Sequence, residues 1–222
     1  MSRLARLVVP DVPHHVTQRG NGRAQTFFGD ADYAFYLELL GRHCRAAGVS
    51  VWAWVLMPNH VHLILAPSDE DGLRRALSRV HRAYAGHIHA REQRTGHFWQ
   101  GRFGCVAMDE GHLAAALRYV ALNPVRAGLA ERAEDWRWSS VHAHLGRVAD
   151  DGVTDPRPVA ERIPDFAGLL AAAEAEAPAL RLRRAESTGR PIGSEDFLAM
   201  VEQRSGRNAR AGKRGPKPGG RS

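Results

Sequence analysis

The alternation of apolar and polar positions divides the first 147 residues into seven elements. HHVTQRG (14–20) reads as a short strand that stops at a Gly-Asn-Gly turn. Residues 30–47 carry apolar side chains at helical spacing and end at Gly48. VWAWVLM (51–57) is a fully apolar strand, and Pro58-Asn59 turns it into a second strand, HVHLIL, so the two predict a hairpin. Residues 70–94 predict a basic helix with Leu73, Leu77, Val80 and Tyr84 on one face. GRFGCVAM (101–108) predicts another strand and residues 110–127 another helix. The first six elements follow the order of the ferredoxin-like split unit. The expected fold class is therefore α+β, an antiparallel sheet with helices on one face.

After about residue 147 the pattern changes. Residues 148–164 are rich in Pro, Asp and Arg and read as a linker. Residues 165–177 and 194–203 are helix candidates, the second with Ser194 as its cap. No acidic residue follows Glu202, so residues 204–222 predict a disordered basic tail, suited to grip phosphates. The expected division is a domain over 1–147, a linker and helical extension over 148–203, and the tail.

Charge narrows the partner class. Lys and Arg total 31 against 24 acidic residues, a net charge of +7, which points to nucleic acid. No apolar run approaches the roughly 20 residues that span a bilayer. The N-terminus lacks the apolar core of a secretory signal. A cytoplasmic, nucleoid-associated protein with no membrane partner is expected. Cys44 and Cys105 fall inside elements and read as reduced core residues.

LMPNHVHLIL (56–65) raises a chemical question, because His60 and His62 interrupt an apolar run. Alternate strand residues share a face, so the two imidazoles lie side by side, with Ile64. Alone, that arrangement also suits two hydrogen-bonded, half-buried histidines. On the helix at 110–127, Leu113, Leu117, Val120 and Pro124 form the core stripe, and His112, Tyr119, Asn123 and Arg126 lie beside it. Imidazole nitrogen and amide oxygen are reasonable ligands for Mg²⁺ or Mn²⁺. An ion held with open positions acts as a Lewis acid on phosphate, and a nearby tyrosine can be a nucleophile. Asn123 precedes a proline, which disfavours helix at that point. The alternative role of Asn123-Pro124 is to end the helix.

Four ordered blocks carry a family resemblance: LMPNHVHLIL, GHFWQGRF (96–103), RYVALNPVRAGL (118–129) and WRWSS (136–140). HHVTQRGNGR (14–23) and GRPIGSEDF (189–197) add to it. Together they resemble the REP-associated tyrosine transposases, within the single-tyrosine HUH (IS200-like) superfamily. The resemblance implies a metal-dependent nuclease that cuts single-stranded DNA beside a hairpin, leaving a 5′-phosphotyrosine and a free 3′-hydroxyl. It implies His60 and His62 as metal ligands, Tyr119 as the nucleophile, and Asn123 as the third ligand, where relatives often place the longer Gln. It implies no small-molecule cofactor, and a monomer in preference to a dimer.

Arg102 and Arg126 are candidates for phosphate or base contact, and Arg19 and Arg23 flank the glycine turn that could approach a DNA backbone. Arg75 and Arg79, with Arg74 and Arg82, make the second helix a candidate duplex-gripping face. Trp99, Trp136 and Trp138 could stack on bases, although packing is the commoner role. Tyr33, Tyr36 and Tyr84 are rival nucleophiles assigned instead to the core. Two alternatives compete with the transposase reading. One is a catalytically silent hairpin binder. The other is a two-histidine phosphoesterase, for which His15-Val-Thr17 supplies one motif and His60-Val-His62 lacks the needed hydroxyl.

Overall fold

The computed structural model describes residues 6–172, 181–182, 184–186 and 188–210. Four strands form one antiparallel sheet: β1 (His14–Arg19), β2 (Val49–Met57), β3 (His60–Pro67) and β4 (Gly104–Ala107). Their order is β2-β3-β1-β4, the ferredoxin-like arrangement. Pro58-Asn59 makes the tight β2–β3 connection, with Met57 opposite His60.

Helices α1 (Asp30–Ala46) and α2 (Gly72–Glu92) pack against each other and against one sheet face. Val16, Val61, Leu63 and Leu65 meet Leu39, Leu40, Leu73, Leu77 and Val80 there. β2 is apolar from Val51 onward, so it needs a device to keep its two faces in phase. The ladder shifts register between Val51 and Ala53. This bulge lets Val51 and Trp54 join the same core while Ala53 and Val55 join the other.

The opposite face carries the histidines and is covered by α3 (Glu110–Ala121). The two helices of the split unit thus lie on one face as expected, and the seventh element covers the other. Expected as one helix over 110–127, that element is interrupted at Leu122 and resumes as α4 (Asn123–Arg126). Pro124 lies in the first turn of α4, where its missing N–H costs nothing. Leu113, Leu117 and Val120 are buried as the stripe predicts. The strand expected over 101–108 narrows to β4, which opens on Gly104, where an added Cβ would approach Thr17 Oγ1 to 2.6 Å.

Further helices among the described residues include α5 (Val141–His144), α6 (Arg157–Arg162), α7 (Phe166–Ala171) and α8 (Glu195–Ser205). The expected linker is tied to β2, through Asp155 N–H to the Val51 carbonyl and Trp54 Nε1–H to Thr154 Oγ1. The helix candidate at 165–177 appears over 166–171, and residues 173–177 lie outside the described residues. Ser194 caps α8 as expected, accepting from Phe197 N–H. Ile192 N–H bonds to the Ala107 carbonyl, so the extension runs along the outer edge of β4. Val201 and Ala209 pack with Leu7, Val9 and Val12. Residues 204–210, expected in the tail, are held by this packing and by Arg210 against Glu195 and Glu202. Residues 211–222 of that tail lie outside the described residues. Both cysteines are buried and free.

Candidate active site

The β1–β3 register builds the site. Thr17 is opposite His62 and Arg19 opposite His60, while His15 is opposite Ile64. Directly paired residues project to the same face. His15, Thr17 and Arg19 therefore line up beside His60 and His62 under α3.

His60 and His62 each have Nδ1 committed, whereas the buried His15 Nδ1 has no hydrogen bond among the described residues and faces Glu186 Oε1 at 3.4 Å. His60 Nδ1 lies 2.6 Å from Asn59 Oδ1, and His62 Nδ1 lies 3.0 Å from His15 Nε2. A carboxamide oxygen can only accept, so His60 Nδ1 carries the proton and its Nε2 keeps a lone pair. Asn123 also hydrogen-bonds His60. The break at Leu122 thus does not remove Asn123 from the site, and the short side chain reaches the histidine.

Burial governs the electrostatics. It pushes His60 down to about 4, the Arg19 charge adds to this, and the Asn123 hydrogen bond opposes it. His62 is held well below the usual imidazole range by burial, then by His15, His60, Arg19 and Arg126. Burial takes His15 down to about 3. All three are neutral imidazoles at neutral pH, the form that binds a metal ion. This donor chemistry fits a divalent ion. Ligand atoms of His15, His62 and Glu186 also lie within 4.8 Å of one another, a group that could hold one.

Tyr119 comes from the last turn of α3 and is 7% exposed. Its ring meets the His62 ring edge to face, with centroids 5.4 Å apart. Arg126 lies over the same ring: its Cζ is 4.4 Å from the Tyr119 ring centroid, and its Nη2–H donates to the Tyr119 carbonyl. Of the four tyrosines, the other three belong to the α1/α2 core. Tyr36 donates or accepts with His81, Tyr84 O–H donates to the Thr26 carbonyl, and Tyr33 stacks on Trp138.

The predicted DNA contacts divide. Arg19 and Arg126 join the histidine site. Arg23 sits in the glycine turn, where its carbonyl accepts from Asn59 Nδ2–H, the neighbour of His60. Arg102 is exposed just before β4. Arg75 and Arg79 are on α2, on the opposite side of the sheet, and Arg75 is engaged by Asp69 at 2.6 Å. His112 is drawn to Asp109 at the start of α3. The tryptophans pack: Trp99 and Trp136 donate to the His81 and Leu56 carbonyls.

Residues 8–123 match the family described as "Transposase IS200 like". The chain belongs to the IS200-like transposase family. A REP-associated tyrosine transposase from Haemophilus influenzae is 26% identical over 98 residues, covering 39% of this chain and 56% of that protein. The chain thus spans about half the length of this curated relative. A solved REP-associated tyrosine transposase bound to a REP hairpin has the same fold, with a TM-score of 0.57 and 22% identity. That likeness covers 70% of this chain and 93% of the other. Among the described residues, no helix of this IS200-like transposase is long and apolar enough to cross a membrane.

The sequence offers His15 only as part of the His15-Val-Thr17 phosphoesterase motif, and does not offer Glu186 as a site residue. The His15-x-Thr17-x-Arg19 alternation carries a signal for the first, since it repeats the polar period of His60-x-His62. No local pattern marks Glu186.

Proposed function

We propose that this IS200-like transposase is a metal-dependent endonuclease and strand transferase. It acts on single-stranded DNA at REP-type hairpins through a 5′-phosphotyrosine. The supporting observation is the placement of Tyr119 against His62 within one chain, away from the three core tyrosines. The two similar REP-associated proteins support the choice of hairpin DNA. Residues 1–147 would form the nuclease domain, with 148–203 as its extension.

His60 and His62 would hold the ion, with Asn123 beside them. When bound, a divalent ion polarises a phosphate oxygen and offsets its negative charge. The protein's residues do the rest. The Tyr119 Oη attacks the scissile phosphorus and loses its proton. The bond from phosphorus to the 3′ oxygen breaks, and that oxygen takes up a proton as a 3′-hydroxyl. The covalent link conserves the phosphodiester for rejoining, so no nucleotide cofactor is required. Arg126 positions the phenol ring, and Arg19 and Arg126 offer charge to the DNA backbone. Arg23 and Arg102 extend that surface. Because one chain supplies histidines and tyrosine together, a monomer suffices.

The test is covalent capture of a 3′-labelled hairpin substrate with Mn²⁺ or Mg²⁺ on a denaturing gel. An adduct that requires metal and is lost in Tyr119→Phe and His60→Ala supports the proposal. Tight hairpin binding without any adduct would favour the silent binder. Ester hydrolysis that survives Tyr119→Phe would favour the phosphoesterase.

A further inference from the structure

Glu186 reaches the histidine face from outside the span matched by the family. Its position is set from both sides. Leu182 is buried in the α3 core, and Ile192 is hydrogen-bonded to the end of β4. Between them, helical residues 184–186 lie over β1, and Gly189 N–H closes the turn onto the Ala185 carbonyl at 2.7 Å. Glu186 Oε1 then faces His15 Nδ1 at 3.4 Å. That separation is a contact that a small side-chain rotation closes into a hydrogen bond.

The His15 and His62 rings lie in planes 1° apart with centroids 5.1 Å apart. Their facing nitrogens are only 3.0 Å apart. Parallel planes cannot be further apart than the closest pair of atoms they contain. The planes are therefore closer than the roughly 3.5 Å of stacked carbon rings. The imidazoles meet edge to edge, joined by an N–H···N bond. The register explains this meeting, because His15 is the diagonal neighbour of His62 across the ladder.

A neutral imidazole has one N–H and one lone pair. A carboxylate accepts and cannot donate, so Glu186 selects the proton on His15 Nδ1. His15 Nε2 is then an acceptor, and the proton of the shared bond belongs to His62 Nδ1. We propose that Glu186 and His15 are positioning residues, a two-step relay that fixes the tautomer of His62 and turns its Nε2 lone pair toward the site. The relay spends both His15 nitrogens on protein partners, so it and a single ion shared by His15, His62 and Glu186 are alternatives that the experiment separates. The C-terminal extension thereby takes part in forming the site. This inference rests on the proposed role of His62 as a metal ligand, but its first readout needs neither metal nor DNA.

The experiment is ring-¹⁵N NMR of the metal-free full chain, comparing wild type, Glu186→Gln and Glu186→Ala. His15 and His62 should both carry the proton on Nδ1 in wild type. Glu186→Ala should lose that tautomer at both rings, and Glu186→Gln, whose amide oxygen still accepts, should restore it. Mn²⁺ affinity, read by electron paramagnetic resonance, should fall about 10-fold in Glu186→Ala. Unchanged tautomers in Glu186→Ala would overturn the relay. So would Mn²⁺ binding that survives His60→Ala but is abolished by Glu186→Ala, since the ion would then sit among His15, His62 and Glu186. The tautomer pattern with no DNA adduct would uphold the relay and count against the proposed nuclease alone.

Discussion

Arg19 stands directly opposite His60 in the β1–β3 ladder, so guanidinium and imidazole share one sheet face. The cation helps keep His60 neutral, second to burial. It also provides a positive charge beside the proposed phosphate position. Arg75 differs because Asp69 holds it in a forked pair on the far side of the sheet. Arg19→Ala should weaken hairpin binding and reduce the slope of log K against log salt by about 1. Arg75→Ala should leave that slope unchanged. Fluorescence anisotropy across a salt series separates them, and equal slopes for the two variants would remove Arg19 from the DNA surface.

Arg126 clamps Tyr119 from both ring and backbone. Without it the phenol loses a constraint on its direction and a nearby cation for the charge that develops during attack. Arg126→Ala should slow adduct formation by about 10-fold, roughly 1.4 kcal/mol in the barrier. Arg126→Lys should recover only part of this, because an ammonium keeps the charge but not the planar fork. Single-turnover rates at saturating hairpin are the measurement. Equal rates for Arg126→Ala and wild type would contradict the assignment.

The parts legible in the sequence are those that depend on a short period. Alternation placed His60 and His62 on one face, and the 3.6-residue repeat separated Leu113, Leu117 and Val120 from Tyr119. The interruption at Leu122 was foreshadowed by Pro124, but the survival of the Asn123–His60 contact depends on how α4 resumes. Contacts made by distant segments left no local trace. Arg75 reads as a free cation on a basic helix until the turn before α2 brings Asp69 to it. Glu186 lies in an Ala/Arg/Glu-rich stretch whose pattern does not distinguish it from its neighbours. Only the extension's path along β4 puts it next to His15.

Acid should destabilise the fold through its buried histidines. His14 is fully buried between the Val9 N–H and the Val12 carbonyl. Burial lowers it from 6.5 to about 4, against the opposing hydrogen bonds from Val12 and Leu65. Between those values the unfolded chain binds the extra proton, so stability falls as pH drops below 6.5 and the loss is complete below about 4. At pH 5 His14 alone should cost about 2 kcal/mol. That is roughly 4–8 °C in Tm for a chain of this size. His81, lowered to about 3 by burial, acts in the same direction. Calorimetry at pH 7.5 and pH 5 should show the drop, and His14→Gln, which keeps a donor and an acceptor without titrating, should reduce it. A wild-type Tm independent of pH in this range would refute the account.

Gly104 should tolerate no side chain while Thr17 is present. The two residues are paired across β1 and β4, and a Cβ at position 104 would sit 2.6 Å from Thr17 Oγ1. Threonine is β-branched, so its hydroxyl has few other places to go. The other atoms near that Cβ are Thr17's own carbonyl oxygen and Cβ, at 3.8 and 3.9 Å, which are ordinary contacts. The clash therefore comes from a single atom. Gly104→Ala should cost about 1–3 kcal/mol, the usual range for overpacking. Thr17→Ala removes the offending hydroxyl, so Gly104→Ala should cost much less in that background, and the double-mutant cycle should show a coupling of at least about 1 kcal/mol. Thr17 is also opposite His62, so the strain in the single variant would be directed at the site. Gly104→Ala should then weaken Mn²⁺ binding as well as stability, and the double variant should recover both. Denaturant melts and Mn²⁺ titrations of the four proteins provide the test. Additive costs would mean that β4 relieves the clash by shifting away from β1.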